Sequence, residues 1–328
     1  MNLSRRQIVK TSAAALALAG AGRPAWSQEL ESSRVLIGFA PGGTIDLVGR
    51  RVADKLHRAY AKSVIVENKT GAGGQIAVQQ VKAAPADGAT VLLTPSSPVS
   101  LHLYTYRKLP YDPGADLTPV SGAARFDYAL AVGPMVPAAV RTAAEFLDWC
   151  KANPGAANFG SAGTGSAAHF IGSALAKAAG VDLRHVAFRG SQPAIQDMVG
   201  GQIAAVVGPT GEFMPNVSAG RLRLLATSGP KRGRFTPLVA TLAEQGYKDL
   251  AYDGWFAFFL PARAPHDVVQ RLNAGIRGAL MGKDVADSLA AAYMEPMPTA
   301  PAELAALLRT ETEFWAGLVK LVGFTPEG

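Results

Sequence analysis

From Glu31 onward the chain alternates short apolar, β-branched runs with segments of helical period. This alternation, more than any other feature, confines it to a layered α/β architecture. Val35–Phe39 is a five-residue apolar run of buried-strand type, broken by Pro41-Gly42-Gly43. A helix follows from near Asp46, with Val48, Val52 and Leu56 along one face. Val64–Val66 reads as the next strand, then Gly71-Ala72-Gly73-Gly74 leads into a helix carrying Ile76, Val78 and Val81. Thr90–Leu93 follows the turn Pro85-Ala86-Asp87-Gly88.

The middle of the chain repeats this order. Strands are predicted at Tyr128–Val132, Asn158–Gly160, Arg184–Phe188, Ile203–Val207 and Leu222–Ala226. Helices are predicted at Thr142–Ala152, at Ser166–Ala179, and from Pro193 to the closing Gly200-Gly201. Trp255–Leu260 is a last apolar strand, and two helices near Asp267–Met281 and Pro301–Val322 follow it. No strand is predicted after Leu260, so the helical tail has to pack back on a sheet built earlier. The expectation is therefore a discontinuous first domain, residues 28–124 plus 252–328, with residues 125–251 inserted as a second.

Residues 1–27 read as an address rather than as fold. Ser4-Arg5-Arg6-Gln7-Ile8-Val9-Lys10 is basic, a small and apolar run extends from Ala13 to Gly22, and Pro24-Ala25-Trp26-Ser27 supplies small residues before a cut ahead of Gln28. This three-part order is that of a bacterial signal peptide, here with twin-arginine character. The run is shorter than the roughly 20 residues that span a bilayer. Export to the periplasm is the expected localisation. Loss of Arg5, Arg6, Lys10 and Arg23 takes the formal charge from +7 to +3, too small a surplus for a nucleic-acid or membrane partner. Cys150 is alone, so no intramolecular disulfide is possible and stability has to come from the core; 48% of residues are hydrophobic.

Three strand–loop–helix junctions combine glycine with hydroxyl residues: Phe39-Ala40-Pro41-Gly42-Gly43-Thr44-Ile45-Asp46, Ser161-Ala162-Gly163-Thr164-Gly165-Ser166, and Arg189-Gly190-Ser191-Gln192. The first turn of a helix leaves backbone N–H groups unpaired, and its dipole favours an anion. In open α/β sheets such loops line the crevice at the carboxyl ends of the strands. One such loop alone reads better as an ordinary helix cap, with Asp46 or Ser166 satisfying local N–H groups. Three of like composition, divided between two domains, point to a site for a small anion.

Catalytic chemistry fits less well. Ser166 and His169 could meet on one helical turn, which makes a secreted serine hydrolase the alternative reading, but no G-x-S-x-G elbow or orienting acid accompanies them. His57, His102, His185 and His266 show no metal-ligand spacing. Gly71-Ala72-Gly73-Gly74 falls short of a dinucleotide fingerprint, because Ile76 stands where the third glycine belongs. Neither an enzyme activity, a metal nor a cofactor is expected.

The blocks Phe39-Ala40-Pro41-Gly42-Gly43 with Asp46, Val66-Glu67-Asn68 with Gly71-Ala72-Gly73-Gly74, Ala83-Ala84-Pro85 with Asp87-Gly88, and Leu109-Pro110-Tyr111-Asp112-Pro113 occur in that order. Ser161, Gly163, Gly165-Ser166 and His169 follow, then Gly190 with Pro193-Ala194, Gly200-Gly201-Gln202, Ala219-Gly220-Arg221-Leu222-Arg223 and Leu272-Asn273. In this series the chain resembles the tripartite tricarboxylate transporter substrate-binding proteins, the Bordetella uptake gene family, over essentially its whole length after residue 27.

The resemblance implies a type II periplasmic binding protein fold, with two α/β domains, a hinge and a central ligand cleft. It implies a small carboxylate ligand, a di- or tricarboxylate or an aromatic acid, held largely by backbone amides, hydroxyls and water. It places Phe39, Ala40, Gly42, Gly43 and Thr44 at the ligand from the first domain, and Ser161, Ala162, Thr164, Gly165 and Ser166 from the second. Asp46, Ser96, His169, Gly190 and Gln192 complete the candidate ligand-binding set. The implied partner is a two-component, ion-driven membrane permease, or alternatively a sensor, and the implied state is a monomer. Ile45 departs from the family, where Thr or Asn is common. It either removes a polar contact from the pocket or points into the core. Ala204-Ala205, Phe126-Asp127-Tyr128 and Pro209-Thr210-Gly211-Glu212 are further departures.

Overall fold

Strand β1 (Leu30–Ile37) lies between β2 (Ala61–Asn68) and β3 (Thr90–Pro95), parallel to both, as two βαβ units demand. The crossover helices are α1 (Thr44–Leu56) and α2 (Gln75–Lys82). The computed structural model describes residues 30–326, so the proposed signal segment, residues 1–27, lies outside the described residues.

The sheet continues through β9 (Asp253–Pro261), antiparallel to β3, to the sixteen-residue β4 (Leu117–Val132). The first part of β4 pairs with β9. Its last five residues leave that partner and pair with β7 (Ala205–Pro209) and β8 (Arg223–Thr227). Beyond β7 lie β5 (Asn158–Ser161) and β6 (Arg184–Ala187), parallel to one another. The strand order is β2-β1-β3-β9-β4-β7-β5-β6. One long strand thus serves two halves of a curled sheet.

Helices α3 (Ala143–Ala152), α4 (Ala167–Ala178), α5 (Ser191–Val199) and α6 (Thr210–Ser218) belong to the middle of the chain. The tail supplies α7 (His266–Met281), α8 (Lys283–Ala291) and α9 (Pro301–Val322). Two of these, α6 and α8, were not predicted. Gly211 and Pro215 obscure α6, since both oppose helix formation in a local reading. The tail is also not strand-free: β10 (Glu295–Pro296) adds a two-residue pairing to β4 at Ala124 and Arg125. A pairing that short has no apolar run to announce it.

Helix α1 shows how local pattern becomes packing. It starts where Gly43 leaves the extended region, carries Asp46 in its first turn and Lys55 in its last, and buries Val48, Val52 and Leu56. Each fully buried aliphatic side chain contributes about 1.5–3 kcal/mol as an upper estimate, so an acid at Val52 would break this contact. α3 begins on a reciprocal cap: Thr142 Oγ1 accepts from the Glu145 N–H at 3.2 Å, and Glu145 Oε2 accepts from the Thr142 N–H at 3.1 Å. α9 opens with Pro301 and ends at Gly323 in the left-handed region, φ +59°.

The tail helix is pinned to the sheet by Glu311, which is 7% exposed. Its Oε1 accepts from Ser100 Oγ at 2.9 Å, Tyr252 OH at 3.0 Å and Trp315 Nε1 at 3.0 Å, while Oε2 accepts from Trp255 Nε1. Trp315 is fully buried and packs edge-on against Phe170 of α4 as well as on Tyr252. The tail helix therefore touches both halves of the molecule.

Candidate functional site

Loops of the two halves meet around a partly open cavity of about 50 Å³. Among the predicted site residues, Phe39, Ala40, Gly43, Thr44, Ala162, Ser166, Gly190 and Gln192 line it. Ile45, left open between pocket and core, does both: it lines the cavity and is 5% exposed within the main hydrophobic cluster.

The remaining candidates hold the loops in shape rather than face the cavity. Gly42 takes φ +87°, a conformation that suits glycine, and its N–H donates to Asp46 Oδ2 at 3.0 Å. Asp46 also accepts from Arg50 Nε at 2.9 Å and Asn68 Nδ2 at 3.0 Å. Burial pushes its carboxyl up, but the bonds from Arg50, Gly42 and Asn68 outweigh this and hold it below the usual carboxylate range. Asp46 is thus an internal clamp. Ser96 is fully buried, with Oγ 2.6 Å from Tyr252 OH. Ser161 Oγ lies 2.8 Å from His185 Nε2, and the Thr164 carbonyl accepts from Tyr106 OH at 2.7 Å.

The Ser166–His169 pair takes a capping geometry. Ser166 Oγ accepts from the His169 backbone N–H at 3.1 Å and donates to the Gly163 carbonyl at 2.8 Å. The His169 ring turns the other way, its Nδ1 accepting from the Gly165 N–H at 3.1 Å. It stacks on His185 with ring centroids 3.8 Å apart. Burial pushes His169 down to about 4; burial and the neighbouring His169 push His185 down to about 3. A neutral imidazole whose acceptor nitrogen is already engaged is not positioned to take a proton from Ser166.

Among the described residues, polar contacts cross between the loops of the two halves. Ala40 N donates to the Arg189 carbonyl at 3.3 Å, Thr105 Oγ1 to the Gly165 carbonyl at 3.5 Å, Tyr106 OH to the Thr164 carbonyl, and the Ala167 N–H at the start of α4 to Ser97 Oγ at 2.9 Å. Another is at Glu212, whose Oε1 accepts from both the Thr44 N–H at 3.0 Å and Thr44 Oγ1 at 2.8 Å. The start of α1, expected to receive an anion, thus already holds a carboxylate of the protein. Burial raises the Glu212 carboxyl above the usual range, opposed by the bonds from Thr44, Ser191 and Gln192.

Sequence reasoning missed Glu212 as a site residue, and with it Pro95, Ser97, Tyr128, Ala168, Ser191, Pro209 and Phe256. Pro95 and Pro209 end strands, Tyr128 and Phe256 lie within β4 and β9, and Ala168, Ser191 and Glu212 stand in the first turns of α4, α5 and α6, places that only the sheet order brings together. Gly208-Pro209-Thr210-Gly211-Glu212 did carry a usable signal, a strand end followed by Thr, Gly and an acid. Its form matches the three junctions already singled out, and an acid in a first helical turn is favourable. Among the described residues no group of three potential ligands could hold a metal ion, and no helix is long and apolar enough to cross a membrane.

Residues 48–324 match the family described as tripartite tricarboxylate transporter family receptor. Protein BugT of Bordetella pertussis is 31% identical over 88% of this chain and 89% of its own. A Rhodopseudomonas palustris protein solved with adipate superposes with a TM-score of 0.85 at 26% identity, covering 92% of this chain and 99% of that one. MatC from the same organism, solved with bound malate, gives a TM-score of 0.82 at 27% identity over 88% and 98% of the two chains. The fold shared with these proteins is that of the two-domain periplasmic binding proteins.

Proposed function

Because this chain belongs to the tripartite tricarboxylate transporter receptor family, we propose that it captures a small carboxylated solute in the cleft and delivers it to a two-component membrane permease. It is a solute-binding receptor and not an enzyme. The observation that carries the reading is the partly open cavity at the meeting of loops from both halves, where hydroxyls, helix starts, Gln192 and Glu212 stand among apolar side chains. Adipate and malate in two relatives of the same fold support a carboxylate ligand.

The start of α5 is where we place the solute's carboxylate. Thr44 N at the start of α1 is taken by Glu212, and Ala167 N at the start of α4 by Ser97. α5 begins at Gly190, φ +139°, with no side-chain cap, and Gly190, Ser191 and Gln192 all face the cavity. Residues 28–124 with 252–328 form one closing body in this proposal and residues 125–251 the other. β4 and β9 carry the hinge between them. Residues 1–27 direct export, and the receptor works as a monomer.

Isothermal titration of ligand-free protein against dicarboxylates, tricarboxylates, aromatic acids and simple monocarboxylates tests the reading. Saturable one-to-one binding of at least one of them is expected. Binding of none would overturn it.

A further inference from the structure

The carboxylate at the start of α1 bears on which solute the cleft accepts. Glu212 stands in the first turn of α6 and is 8% exposed. Its Oε1 is occupied by the two Thr44 donors, Ser191 adds a further side-chain hydrogen bond to the carboxylate, and Gln192 Nε2 stands 3.5 Å from Oε2, the limit of a hydrogen bond. No Lys, Arg or His lines the cavity, and Glu212 takes part in none of the ion pairs among the described residues. Phe39, Tyr128, Phe256 and Pro209 make the facing wall apolar. A carboxylate so placed has neutral donors only and no counter-charge, a situation that a buried group resolves by acquiring a cation or a proton.

We infer that Glu212 fills the anion position at the start of α1, so that the receptor selects a monocarboxylate carrying a positively charged nitrogen. The inference rests on the solute-binding reading above and narrows its ligand class. The nitrogen pairs with Glu212 Oε2, the ligand carboxylate takes the start of α5, and the ligand's apolar body lies on the aromatic wall. A dicarboxylate is disfavoured, because its second charge would be brought against Glu212 where no cation is at hand.

A six-carbon series tests this, since its members differ only in their charged ends: hexanoate, 2-aminohexanoate, 6-aminohexanoate and adipate, titrated into wild type and Glu212→Gln beside the wider carboxylate panel. At least one aminohexanoate should bind wild type tenfold or more tightly than both hexanoate and adipate. That advantage over hexanoate should collapse to threefold or less in Glu212→Gln, which keeps an acceptor oxygen for Thr44. The order of affinities in wild type is a test in itself should the variant not fold. The inference is overturned if the tightest ligand of the whole panel lacks a cationic nitrogen, or if the aminohexanoate advantage survives in Glu212→Gln. Either result leaves solute binding standing. Absence of binding by every acid removes the solute-binding reading and this inference with it.

Discussion

Replacing Glu311 by alanine tests the account of how the tail helix is held. The side chain accepts four bonds, and two of its donors have other partners nearby: Ser100 Oγ is 2.9 Å from the Ser96 carbonyl, and Tyr252 OH is 2.6 Å from Ser96 Oγ. The two indole groups, Trp255 Nε1 and Trp315 Nε1, donate to Glu311 and have a single N–H each. Alanine leaves both without an acceptor in the interior, and each such orphaned donor costs about 1–3 kcal/mol, so the loss should be about 4 kcal/mol. Against a total stability of about 5–15 kcal/mol this is a large fraction. Glu311→Gln keeps an oxygen for Ser100, Tyr252 and Trp315 and orphans only Trp255, for a loss of about 2 kcal/mol. Urea unfolding followed by tryptophan fluorescence reads the effect, because Trp255 and Trp315 are the groups disturbed. An unfolding free energy for Glu311→Ala within about 1 kcal/mol of wild type would refute the reasoning.

Three further outcomes are expected. His102, His169 and His185 are pushed down to about 3, 4 and 3 from an ordinary 6.5, chiefly by burial. The folded chain keeps them neutral while the unfolded chain takes up protons, so their contribution is complete above pH 6.5 and is lost progressively as pH falls below it. Melting temperatures level between pH 7.5 and pH 5 would contradict this. Asp127 runs the other way: burial, with Asp253 and Glu295 nearby, pushes its carboxyl up to about 6 from an ordinary 3.8, so stability is lost as pH rises between these values and the cost is complete above about 6. Asp127→Asn should therefore gain about 1–2 kcal/mol at pH 8 and roughly half of that at pH 5, measured by denaturant unfolding at both values. Ser97→Ala removes the acceptor for Ala167 N across the cleft. The closed form should lose about 1 kcal/mol, and calorimetry should show about fivefold weaker binding of whichever carboxylate the receptor takes. Unaltered affinity would remove that contact from the closing mechanism.

Much of the site was legible as loops and little of it as chemistry. The junctions at Phe39–Asp46, Ser161–Ser166 and Arg189–Gln192 were visible because glycine, hydroxyl residues and a following helical period are local properties. The structure does bring all three to one cavity. Which groups face inward was not visible. Asp46 and His169 carry the side chains most suggestive of function, yet each is spent on its own loop, Asp46 on Gly42 and His169 on Gly165. Glu212 was visible only as part of a junction-like stretch, and it reaches Thr44 across 168 positions of sequence.

The sequence by itself determined the layered α/β class, the order of nearly all the elements and the family. Hydrophobic period, turn residues and motif order are written within windows of a few residues, and α9 falls at Pro301–Val322 as its spacing predicts. Only the tertiary structure decided that one sixteen-residue strand would serve both halves of the sheet, and that α6 would form despite Gly211 and Pro215. It alone separated Glu311 from Glu313, two acids on one helix that read alike in sequence. Glu311 meets four donors in the core, while Glu313 is exposed. Long-range pairing and burial depend on which surfaces meet once the sheet is assembled, and those distances are not encoded in any neighbourhood of the chain.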